Sequence, residues 1–185
     1  MMLMPLYLCT SSVKAELIDG YVVLANKDTI YRKIDVPNVY HQTLNLFYKV
    51  TVQDSAGNET TYQPGKHGIK GFGFVYNGKN YDYHLWKNGT DDIFALKLIS
   101  GKKVSLSYYY VYYNPIYGGN SSKYDVYLLE SSDKKAVSLS GNLFGSLKKQ
   151  LKNFFGGDAG VLKLLDARVS GMKDIPAFVD EVNSL

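Results

Sequence analysis

The chain contains one cysteine, one tryptophan and five prolines in 185 residues, and no apolar run as long as a membrane span. A lone cysteine excludes an internal disulfide and any zinc site built on two or more thiolates. Without about 20 consecutive apolar residues, no helical membrane span is predicted. An excess of one charge is also missing. Against 21 basic residues stand 17 acidic ones, a net +4 scattered along the chain. Only Lys148, Lys149 and Lys152 cluster, and they read as the solvated face of a helix. No nucleic-acid partner is therefore expected. Glycine, proline and charge all fall short of what collagen, disordered or coiled-coil chains require. A chain of this length is large enough to bury a core without metal or disulfide support.

What is abundant is tyrosine, 17 residues of it. Tyrosine suits pleated strands and keeps a polar tip for water, so the excess points to a β-rich protein with amphipathic surface. It specifies no reaction.

The first fifteen residues differ from the rest. Met1 to Cys9 is almost wholly apolar, and Val13-Lys14-Ala15 places small residues at the first and third positions before a cut after Ala15. That is the pattern of an export signal, although no basic residue precedes the apolar run. Two other readings are lipidation at Cys9, with Leu8 where a lipobox has a small residue, and a first strand of the domain. Cleavage after Ala15 would leave a chain without cysteine, which suits an oxidising compartment. The expected location is the periplasm, cell envelope or exterior.

From residue 20 to about 140 the period is two. Tyr21 to Leu24 and Ile30 to Val36 form a hairpin around Asn26-Lys27-Asp28. Leu44 to Gln53 alternates throughout and reads as one strand, followed by a turn into Glu59 to Tyr62. Asn77-Gly78 favours a type I′ turn between Phe72–Tyr76 and Lys79–Trp86, which sets Phe74 opposite Tyr81 and Phe72 opposite Tyr83. For the next hairpin, a three-residue loop at Ile99-Ser100-Gly101 keeps one face apolar, with Leu96 opposite Val104 and Phe94 opposite Leu106. The second strand of that pair runs on through Tyr108 to Tyr113. Further strands are expected at Tyr124 to Leu129 and Val137 to Leu139.

After Gly141 the period becomes 3.6. Phe144, Leu147, Leu151 and Phe154 share a stripe that ends at Gly156-Gly157. Asp158 and Asp174 are placed to cap two further helices, the last with Pro176 in its first turn. The expected fold is therefore α+β and predominantly β. An antiparallel meander or sandwich-like sheet of hairpins occupies about residues 16–140, after a signal at 1–15, and two or three helices in 141–185 pack on it as an appendage of the same domain.

Chemistry is sparse. No phosphate loop, zinc-protease helix, nucleophile elbow or paired-cysteine motif occurs. A metal site can be drawn from His67, His84 and Asp82, but with His41 these histidines read more simply as isolated surface residues. No metal or cofactor is expected. Asp91-Asp92 offers adjacent carboxylates, yet neighbouring strand residues face opposite ways. Asp82, His84, Asp91 and Asp92 are the weak catalytic candidates. Trp86 and the tyrosines judged to point outward, Tyr109, Tyr113 and Tyr117, are the candidates for a binding platform.

Gly20-Tyr21-Val22-Val23-Leu24 followed by Asp28-Thr29-Ile30 and Lys33-Ile34 resembles the opening of a diffuse group of uncharacterised exported proteins of Gram-negative bacteria. Ile69 to Phe74, Phe94 through Gly101-Lys102 to Leu106, and the helical end at Val182-Asn183 are similar to it as well. Lys27 and Arg32 stand where that group usually has glycine. The resemblance implies an exported β-rich domain with a helical tail, and it carries no catalytic residue. Three functions follow as expectations. The first is a non-catalytic envelope domain that binds a glycan, peptide or protein through exposed tyrosines or a sheet edge. The others are a hydrolase of envelope polymers using the Asp and His candidates, and a purely structural envelope protein.

Overall fold

A computed structural model of the chain describes residues 16–37, 44–88, 91–113, 122–133, 135–140 and 147–185. The expected signal, Cys9, His41, Tyr117 and the helix start at Phe144 lie outside them. Among the described residues ten antiparallel strands form one sheet: β1 (Glu16–Leu24), β2 (Thr29–Val36), β3 (Val50–Gln53), β4 (Glu59–Tyr62), β5 (Ile69–Tyr76), β6 (Lys79–Asn88), β7 (Asp91–Ser100), β8 (Val104–Tyr113), β9 (Ser122–Ser131) and β10 (Ala136–Ser140). The order is β10-β9-β8-β7-β6-β5-β1-β2-β3-β4. Two meanders, β1–β4 and β5–β10, are thus joined where β1 pairs with β5. The helices are α1 (Leu44–Tyr48), α2 (Leu147–Phe155), α3 (Ala159–Arg168) and α4 (Ile175–Ser184), with a short 3₁₀ turn at Met172–Asp174. No helix among the described residues is long and apolar enough to cross a membrane.

The turns explain the strand pairs. Asn77 (φ 49°) and Gly78 (φ 72°) both adopt the left-handed conformation, as a type I′ turn requires. The expected register follows: Phe72 stacks on Tyr83 with centroids 4.6 Å apart, and Phe74 on Tyr81 at 5.2 Å. In the first hairpin Lys27 supplies the left-handed residue at φ 71°, while Asn26 Oδ1 accepts from the Asp28 backbone N–H at 3.1 Å. Position 27 is therefore one where the backbone favours glycine.

Because strand residues alternate between faces, the register sorts the sheet into rows. One row runs Ile30, Val22, Phe72, Tyr83, Leu96, Tyr108, Tyr127, Leu139 from β2 to β10. It is apolar or aromatic throughout, and it marks the face that the helices cover. Phe47 of α1 sits edge-on to Tyr83, Tyr108 and Tyr110 at 5.1 to 6.1 Å. Leu151, Leu165, Phe178 and Val179 of α2 to α4 close over Leu106, Leu129 and Leu139.

Several expectations are corrected. Residues 44–53 are not one strand: α1 precedes β3. Leu46 and Phe47 are consecutive and both 2% exposed, and a helical turn packs them together where a strand would send one outward. The β7–β8 connection is displaced from the expected Ile99-Ser100-Gly101: β7 runs to Ser100, and residues 101–103 lead into β8. Ser100 pairs with Ser105, Ile99 with Leu106 and Leu96 with Tyr108, with a bulge at Leu98. Asp158 caps α3 as expected, accepting from Val161 N–H at 3.1 Å. Asp174 does not cap α4; its carboxylate turns back to accept from Ser170 N, Ser170 Oγ and Gly171 N. The clustered lysines lie on the outer side of α2 as expected, with Lys149 and Lys152 exposed, and Lys148 and Lys152 also reach Asp166 of α3 across the surface.

Candidate functional site

One residue along from the apolar row, on the opposite face, lies a second row of different character. Tyr31 of β2 pairs with Tyr21 of β1, Tyr21 with Gly73 of β5, and Gly73 with Asp82 of β6. Lys97 of β7 completes it through an ion pair with Asp82 at 3.2 Å. Glycine at 73 is what lets the row converge. A Cβ there would stand 2.5 Å from the Tyr21 hydroxyl, so the phenol lies over the bare backbone and reaches across β5. Tyr21 then donates to Asp82 Oδ1 at 3.1 Å, while Lys97 holds Oδ2. Both oxygens of the carboxylate are engaged.

The row forms part of an open cleft of about 890 Å³. Tyr31 stands at one end with 78% of its surface exposed, and Val75 and Leu98 add exposed apolar surface at 57% and 42%. Burial raises the Tyr21 hydroxyl to a pKa of about 12, with the charge and hydrogen bond of Asp82 adding to the shift. The phenol therefore stays protonated and donating at neutral pH.

Beside the row, His84 follows Asp82 on the same face of β6 and faces Ala95 and Gly71 across the neighbouring strands. Its Nδ1 is buried without a hydrogen-bond partner. Burial lowers the imidazole below its ordinary pKa; nearby Lys97 lowers it further, and Asp82 opposes the shift. His84 is therefore neutral at pH 7 and is not the isolated surface histidine expected. Among the described residues the other orphaned side-chain atom is Asp35 Oδ1, whose carboxyl is raised by burial and by Glu59, against the pull of Lys49.

The remaining candidates separate. Asp82 and His84 are brought together, whereas Asp92 lies against Gly65, with its carboxylate in the space a Cβ would take. Asp91 pairs with Asn88 in the backbone ladder, and its side chain is outside the described residues. No group of three metal-ligating side chains forms among the described residues, so His67, His84 and Asp82 do not combine. His67 instead sits near the Tyr62 ring in the loop before β5.

The proposed platform also changes. Tyr109, expected to face outward, is 6% exposed, because β8 is covered on both faces at that point: Tyr109 and its neighbour Tyr110 are both buried. Trp86 is half-buried against the core and edge-on to His84. Tyr113 ends β8 opposite Ser122, and its side chain, like Tyr117, is outside the described residues.

Sequence reasoning missed Tyr21, Tyr31 and Lys97. The Asn77-Gly78 turn already set Gly73 opposite Asp82, but nothing local announces that β1 lies on the far side of β5. No known protein family, characterised protein or solved structure matches this chain. The site must be read from its own chemistry.

Proposed function

We propose that this chain is an exported, non-catalytic domain of the cell envelope that takes an extended ligand along the row from Tyr31 to Lys97. One observation carries the reading: a cleft in which an exposed aromatic ring and a prearranged hydrogen-bonding cluster share a single cross-strand row. Binding sites combine apolar surface with a few fixed polar groups in this way. Asp82 already has a partner on each oxygen, which suits holding a ligand better than shuttling a proton. The apolar segment and small-residue pattern of residues 1–15 support export.

The test requires no known ligand. Two-dimensional NMR spectra of the chain are recorded against a library of sugar, peptide and aromatic fragments. Binding fragments are expected to shift the signals of Tyr21, Tyr31 and Lys97 together. Hits confined to other surfaces would refute the assignment.

A further inference from the structure

We infer that the ligand of this cleft is a neutral oligosaccharide, lying across the strands with one ring stacked on Tyr31 and hydroxyls shared between Asp82 and Lys97. The inference rests on the binding reading above and narrows it. Charge is the first argument. The cleft is lined by three carboxylates, Asp19, Asp54 and Asp82, and three cations, Arg32, Lys33 and Lys97. Most of these groups are already engaged. Lys97 holds Asp82 at 3.2 Å, Lys33 lies 3.9 Å from Asp19, and Asp54 accepts from Ala56 N, Asn58 N and Asn58 Nδ2 within its own turn. Such a surface sets as many repelling as attracting groups before an anionic polymer, and the same holds for a cationic one. A sugar hydroxyl both donates and accepts. It gives its proton to Asp82 and receives one from Lys97 without either charge losing its partner.

Topology is the second argument. The row crosses β2, β1, β5, β6 and β7, of which β1, β5, β6 and β7 are inner strands, while β2 meets β3 only at Lys33 and Ile34. Across the inner strands no backbone edge is free, so a ligand lying along the row cannot be held by strand addition, the usual route for extended peptides. Recognition falls to side chains alone. Strands spaced about 4.8 Å apart make the row roughly 19 Å long, enough for several linked rings.

Preorganisation is the third. Tyr21 is fixed between Gly73 and Asp82, so its hydroxyl is placed before the ligand arrives. Tyr31 supplies a flat apolar face against which the C–H face of a pyranose packs, with little side-chain entropy to lose.

The experiment titrates the full chain with three sets of probes, followed by NMR and calorimetry. They are neutral hexaoses differing in linkage and ring substituents, polygalacturonate as an anionic glycan, and unstructured neutral hexapeptides. A neutral hexaose is expected to move the signals of Tyr21, Tyr31 and Lys97. Its affinity should fall about tenfold in Tyr31→Ala and in Asp82→Asn and stay unchanged when salt is raised to about 1 M. Tyr31 is exposed, so its replacement leaves the fold intact. Binding at the cleft by the peptides or the anionic glycan alone overturns the neutral-sugar inference and leaves the cleft standing as a binding site. If none of the three sets perturbs these residues, both readings fall.

Discussion

Asn183 on α4 bonds to Val104 on β8 as a neighbouring strand would. Its Oδ1 accepts from Val104 N at 3.1 Å and its Nδ2 donates to Val104 O at 2.9 Å. The same oxygen accepts from Lys103 N, and the same nitrogen donates to Val179 O. The amide lies in the space beside Gly101 that a Cβ would fill. The last helix is thereby fastened to the β7–β8 loop.

Replacing Asn183 by leucine leaves the N–H of Val104 without its acceptor in a half-buried setting. A loss of about 2 kcal/mol is expected, from unmade hydrogen bonds to groups that water reaches poorly. Urea denaturation measures the loss, and amide exchange should accelerate first at Lys103 and Val104. Uniform acceleration across the sheet would show that Asn183 does not act through this loop.

Lys27 holds a left-handed conformation that costs an L-residue about 1 to 2 kcal/mol. Glycine avoids that cost and loses part of the gain to unfolded-chain entropy. Lys27→Gly should therefore stabilise the protein by about 0.5 to 1 kcal/mol, seen as a higher denaturation midpoint with an unchanged slope. A drop in stability would count against the turn geometry.

His84 makes stability depend on pH. Burial keeps the folded-state imidazole below its ordinary 6.5, so on acidification the unfolded chain takes up the proton first. Its contribution is complete above about 6.5 and is lost as the pH falls from there toward the lower folded-state value. Denaturation midpoints of the native chain and His84→Gln, taken at about pH 8 and about pH 5, isolate the effect. The native chain should lose more stability between the two conditions than the variant. Equal losses would mean that His84 is not desolvated.

The fold was legible wherever the signal was local. Asn77-Gly78 fixed a turn, and the turn fixed the Phe72–Tyr83 and Phe74–Tyr81 pairs. Leu44 to Gln53 failed because its even positions alternate like a strand, while Leu46 and Phe47 together have to cover the aromatic row. The β7–β8 loop failed because nothing local marks the bulge at Leu98, and the partner of Lys103 N, Asn183, lies 80 residues away in the chain. The cleft failed for the same kind of reason. Asp82 was visible as a polar residue among aromatics, but Tyr21 reaches it only through the pairing of β1 with β5.

Gly73→Ala tests how that convergence is built. The added methyl needs the place of the Tyr21 ring, so the phenol must leave Asp82. The Tyr21 hydroxyl should then ionise below its value of about 12, nearer the ordinary 10, in an alkaline ultraviolet titration compared with Tyr21→Phe. A titration curve identical to the native one would show that glycine is not needed there.

Phe47→Ala removes the ring that joins Tyr83, Tyr108 and Tyr110. A cost of about 3 to 4 kcal/mol is expected for deleting a buried aromatic. Near-ultraviolet circular dichroism should show the tyrosines losing their fixed environment. An effect under about 1 kcal/mol would mean that α1 only rests on the sheet.

The pairing of β1 with β5 has a consequence for how the chain is made. Val22 has one neighbour close by in sequence, Ile30, and another in Phe72, which is synthesised much later. A chain emerging N-terminus first can form the β1–β2 hairpin at once, but one edge of β1 stays open until β5 has followed. For that interval its unpaired N–H and C=O groups are free to recruit any other extended chain. Nascent chains stopped before residue 69 should therefore need a holding chaperone, whereas those carried past residue 76 can cover this edge themselves.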